Sequence, residues 1–186
     1  MSELIQEIAI GALAAVLIMI VHELAKSLVY VFVRVDRKDW NISFREIFKV
    51  WRYIDPAGLI LSVTCYCPVS RPYMFRVRDK KTNMLLGLCG FIVNLVMLAC
   101  SFIMVKLGYS SIFWQYMALL SFDYLVINLF PVSTFDMGLI IAGYSARHYL
   151  QLIKMDSVIK LILMLALLLD VIHYGGARIL SILFAL

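Results

Sequence analysis

Val21–Lys26 reads Val-His-Glu-Leu-Ala-Lys and lies inside the first apolar run of the chain. On a helix, His22 and Lys26 stand four residues apart on one face, and Glu23 borders that face three residues before Lys26. His-Glu-x-x-His is the arrangement in which two imidazoles one turn apart hold zinc and the Glu serves as general base. Here Lys26 takes the place of the second His. Ionisable residues within apolar runs are costly and by default mark functional sites. Two further polar groups sit in apolar surroundings downstream. Asn94 interrupts Thr82–Val105, and taken alone it reads as a hydrogen bond across a helix interface. Asn128-Leu-Phe-Pro131-Val-Ser-Thr-Phe-Asp136-Met-Gly138 places a carboxylate just beyond a proline. Pro131 removes a backbone donor and clashes with the preceding turn, so a helix breaks there. Broken helices within a membrane line cavities or pack on protein, which points Asp136 towards function.

The elements that must position these groups follow from composition. The 186 residues are 63% hydrophobic with a mean hydropathy of +0.93, beyond the roughly 45–50% apolar content of soluble domains. The reading is an all-α integral membrane protein, a polytopic helix bundle forming a single domain. Spans are expected at about 5–33, 84–106, 111–145 (broken near 131) and 157–173, with Ile179–Leu186 too short to cross. The run Ala57–Cys67, only 11 residues between Asp55-Pro56 and Pro68, suits a re-entrant segment or short hairpin. Val63, Thr64, Tyr66 and Val69 lean it towards strand. The first apolar run opens on Glu3 and Glu7 without a basic leader, unlike a cleaved signal peptide. Cys65, Cys67, Cys89 and Cys100 lack finger spacing and read as buried thiols.

The net charge of +5 is uneven, with 11 of the 17 Lys and Arg falling in Arg34–Arg52 and Arg71–Lys81. Beside membrane spans such blocks mark the cytoplasmic face and lipid headgroups rather than nucleic acid, so the N-terminus is expected outside and residue 34 inside. Asp123 has no evident partner in sequence, and a polar contact with a neighbouring span is its default.

His22-Glu23-x-x-Lys26, Gly90-x-x-x-Asn94 and Asn128-x-x-Pro131-x-x-x-x-Asp136-x-Gly138, in this order and span placement, resemble the site-2 protease family of intramembrane zinc metalloproteases. Tyr53-Ile-Asp55-Pro56-Ala-Gly58 and Cys67-Pro68-Val69 are similar to the loop and re-entrant segment of its minimal members. The resemblance covers most of residues 15–140. It implies zinc held by His22, by the residue at position 26 and by Asp136, water activated by Glu23, and Asn94 and Asn128 steadying the site or the substrate backbone. The family cleaves transmembrane segments of other membrane proteins, often releasing a tethered regulator, and the implied setting is a bacterial plasma membrane. Three positions depart from the pattern: Lys26 at a ligand, Phe91 where Pro is common, and Met137 where Gly follows the ligand Asp. A lysine ammonium has no lone pair until it loses a proton, and its reference pKa is about 10.4. The leading expectation is therefore a catalytically impaired homologue with weak or absent zinc that binds transmembrane segments, Lys26 standing in for the metal. An active protease recruiting another ligand such as Asp123, His148 or His173 is the alternative. A transport or assembly subunit that uses the polar groups as a relay or ion pair is the third.

Overall fold

The computed structural model describes residues 2–34, 47–71, 79–109 and 112–185. Most of the two basic blocks expected at the cytoplasmic face (residues 35–46 and 72–78) lies outside the described residues. Seven α-helices make up the described fold: α1 (Ser2–Arg34), α2 (Pro56–Thr64), α3 (Lys80–Lys106), α4 (Ile112–Leu129), α5 (Asp136–Tyr144), α6 (Ala146–Leu168) and α7 (Val171–Ala185). Among them α1, α3 and α4 are long and apolar enough to cross a membrane. Their outward faces carry exposed apolar side chains such as Leu13, Leu17, Ile92, Leu95, Val96 and Ile103, a surface suited to lipid rather than to water.

One stripe on α1 organises the bundle. Ala14 and Ala15, Ile18 and Met19, His22 and Glu23, Lys26 and Ser27, Tyr30 and Val31 are all buried, paired at the four-residue repeat of a single helix face. The first half of the stripe is apolar and packs with Met97 of α3 and Met117, Leu120 and Tyr124 of α4. The second half is polar and buried just as deeply. Apolar packing thus fixes the helix register that carries the polar groups to the interior.

The short run after the first span is helical, not strand-like, which corrects the hairpin expectation. Asp55 accepts from the Ala57 amide and Pro56 occupies the first turn, a strong start signal that outweighs the β-branched residues at the far end. The chain then passes through Cys65–Arg71 without regular structure and returns to its origin, where the Arg71 amide donates to the Tyr53 carbonyl at 3.0 Å. Tyr53 ties this unit to α1: its hydroxyl donates to the Ile47 carbonyl at 2.7 Å and meets Ser27 Oγ at 3.1 Å.

The break near Pro131 is present: α4 ends at Leu129 and α5 begins at Asp136. In the C-terminal region the helix drawn over 157–173 instead runs Ala146–Leu168. It turns at Asp170, in the left-handed region at φ 56°, and α7 follows. α6 starts earlier because Ser145 caps it, its side chain accepting from the His148 amide. α7 packs back on α4 and α6.

Candidate functional site: a buried ion-pair cluster

Two positioning devices set the site. α3 approaches α5 closely through Gly87 and Gly90. A Cβ at Gly90 would overlap the Asp136 carboxylate, and one at Gly87 the Asp136 carbonyl. The loop leading into Asp136 is held from α6, where Asp156 accepts from the Ser133 amide at 2.8 Å and pairs with Lys160 at 2.6 Å. Asp136 is the first residue of α5, where the helix dipole favours a negative charge.

His22, Glu23, Lys26 and Asp136 converge although 110 residues separate Lys26 from Asp136, and each is at most 1% exposed. Lys26 Nζ donates to Asp136 Oδ1 at 2.8 Å and to Glu23 Oε1 at 3.5 Å. His22 Nε2 meets Asp136 Oδ2 at 2.8 Å, and Nδ1 faces Glu23 Oε1 at 3.1 Å and the Tyr124 hydroxyl at 3.0 Å. A doubly protonated ring would donate to both carboxylates and bring the four groups to zero net charge, the condition under which buried charges are tolerated.

Ser70 and Tyr124 complete the network, and sequence reading missed both. Ser70 Oγ donates to Glu23 Oε1 at 2.8 Å and lies 2.5 Å from the Tyr124 hydroxyl. The Tyr124 ring meets His22 edge to face at 4.9 Å. The available signals were slight: a Ser two residues after Pro68, and a Tyr one helical turn before Asn128. A small cavity of about 10 Å³ adjoins the cluster, lined among others by Glu23, Lys26, Ser70, Tyr124, Asn128 and Thr134.

The remaining candidates fall differently. Asn128 faces the cavity and donates Nδ2 to the Tyr124 carbonyl of its own helix at 2.9 Å. Asn94, one turn after Gly90, is fully buried, and neither atom of its amide has a hydrogen-bond partner. Asp123 neighbours Tyr124 in sequence but takes no part in the cluster's hydrogen bonds; it lies 3.5 Å from His173 Nδ1. His148 is exposed on α6 and stacks on Tyr144.

The donor set does not fit zinc. A catalytic zinc wants three protein ligands with free lone pairs. The Lys26 ammonium offers none, which leaves His22 and Asp136, joined here by a direct 2.8 Å hydrogen bond, one ligand short of such a set. Among the described residues no group of three or more His, Cys, Asp or Glu is arranged to hold a metal ion. What the arrangement can do is hold two carboxylates ionised around a fixed ammonium beside a small cavity of mixed polar and apolar lining. Comparison of the chain with protein-family models, curated proteins and solved structures finds no match.

Proposed function

We propose that this chain is an integral membrane relative of the site-2 proteases that works without metal and without cleavage, binding transmembrane segments of partner proteins. The observation carrying this reading is Lys26, whose ammonium lies 2.8 Å from Asp136 and 3.5 Å from Glu23. It occupies the place of the third zinc ligand and supplies the positive charge that a metal would bring. The order of His22-Glu23, Gly90-x-x-x-Asn94 and Asn128…Asp136 supports the kinship. In this reading α1, α3 and α4 cross a bacterial plasma membrane with the N-terminus outside, and α2 with the returning 65–71 segment is re-entrant.

Metal analysis of purified native protein and of Lys26→His tests the reading, alongside co-expression with a single-span membrane protein. The native chain purifies with little zinc and leaves the single-span protein intact. Lys26→His completes His-Glu-x-x-His and gains zinc towards one equivalent. Stoichiometric zinc in the native protein that is lost in Asp136→Asn, together with cleavage, would establish an active protease instead.

A further inference from the structure

The chain buries a second ionisable pair, remote from the hydrogen bonds of the Lys26 cluster. Asp123 of α4 is fully buried, and neither of its oxygens has a hydrogen-bond partner. Beside it stands His173 of α7, with Nδ1 3.5 Å from Asp123 Oδ2, likewise without a hydrogen bond and with its side chain 20% exposed. α7 is fitted closely onto this carboxylate: a Cβ at Gly176, three residues after His173, would overlap Asp123 Oδ1. Tyr66 stacks on the His173 ring at 4.2 Å and on Tyr116 at 6.1 Å. Ile172 packs with Cys67, Leu163 and Leu167. The other titratable groups facing the pair are Asp170 in the turn before α7, Cys65 and Cys67 in the returning segment, and the two tyrosines.

Burying a carboxylate without a hydrogen bond is costly unless its charge is removed or matched. One proton held between the two groups does either. A carboxylic acid beside an imidazole and a carboxylate beside an imidazolium carry the same proton count and the same zero net charge. Loss of that proton leaves a bare buried carboxylate, and gain of a second leaves an uncompensated imidazolium. We propose that Asp123 and His173 hold a single proton between them and that this proton clamps α7 onto α4, so that the C-terminal helix loosens when the proton is lost or a second one is gained. The clamp is independent of what the Lys26 site binds.

Amide hydrogen exchange across Val171–Ala185 of the full chain in lipid nanodiscs tests it, with protection expressed against the intrinsic rate at each pH. Protection in the native protein passes through a maximum with pH and falls about tenfold or more on both the acid and the alkaline side, while Ala14–Met19 stays level. Asp123→Asn has no carboxylate to lay bare, so its α7 profile loses the alkaline fall and keeps only the acid one. His173→Gln has no imidazole to charge, so it loses the acid fall, keeps the alkaline one and lies below the native maximum, because Asp123 loses its partner. A native profile without a maximum overturns the clamp, and so does a maximum retained in either variant. Should Asp123→Asn fail to fold, His173→Gln decides alone.

Discussion

Replacing Lys26 by Met keeps most of the side-chain volume and removes the ammonium. From the observed separations of 2.8 Å to Asp136 and 3.5 Å to Glu23, Coulomb attraction at an effective dielectric of 20 is about 6 and about 5 kcal/mol. Desolvation of three buried ions opposes both by several kcal/mol each, so the net worth of the cluster is far smaller than that sum. The variant loses the attraction but keeps the two carboxylates buried, and breaking a buried pair in this way typically costs about 3–5 kcal/mol. For a chain of this length that corresponds to a fall in Tm of about 6–20 °C. Thermal unfolding in detergent measures it, and a double-mutant cycle with Asp136→Asn assigns it. The Asn removes the stranded charge, so the double variant should recover much of the loss. A Lys26→Met protein as stable as the native one, or effects that add without coupling, would refute the claim that the ammonium is the counter-charge.

Two further outcomes follow from the geometry, and a third tests the proposed topology. Gly90→Ala forces the new methyl into the Asp136 carboxylate and should cost about 1–3 kcal/mol by overpacking, with Lys26→Met less harmful in that background; thermal shift on the single and double variants reads both. Asp156→Ala strands the Ser133 amide, costing about 1–3 kcal/mol, and faster amide exchange should be confined to Phe130–Phe135. Cysteines placed at Ser2, Ser43 and Lys81 should label from the outside, the inside and the inside respectively, and opposite sides for Ser43 and Lys81 would end the re-entrant account of the segment between them.

The convergence of His22, Glu23, Lys26 and Asp136 was legible in sequence because each is an ionisable group in an apolar run, and the shortage of partners in hydrocarbon forces such groups together. The helix break near Pro131 was legible for the steric reason that proline always supplies. The form of Ala57–Cys67 was not, because a run of 11 residues admits either period. The deciding signal was the cap at Asp55-Pro56, which outweighs side-chain propensities two turns away. Ser70 and Tyr124 escaped notice because hydroxyls are common in apolar segments and carry no positional constraint until the tertiary fold supplies a carboxylate and an imidazole. The pairing of Asp123 with His173 was equally hidden: it depends on α7 folding back after the turn at Asp170, and nothing in periodicity fixes the direction of such a turn.

On the proposed reading, an ammonium keeps the architecture of a metal site without a metal's chemistry. A metal ion draws lone pairs from its ligands and leaves a coordination position open to water, whereas Lys26 donates hydrogen bonds to both carboxylates. Glu23 Oε1 consequently serves as the acceptor for Lys26 and Ser70 and faces His22 Nδ1 at 3.1 Å. A general base needs an oxygen directed at a reacting water, and on the proposed reading Glu23 Oε1, held by groups of the protein, is not that oxygen. The closeness that would hold a metal in place therefore serves the fold: α1, the returning segment, α4 and α5 are tied through one set of charge-assisted hydrogen bonds, strong because they are buried and balanced. Restoring His at position 26 withdraws one donor from Glu23 and returns a lone pair to the cluster, but Ser70 still holds the same oxygen. Zinc should bind Lys26→His more readily than cleavage appears, and Lys26→His/Ser70→Ala is the combination that removes both the Lys26 and the Ser70 donor from Glu23 Oε1.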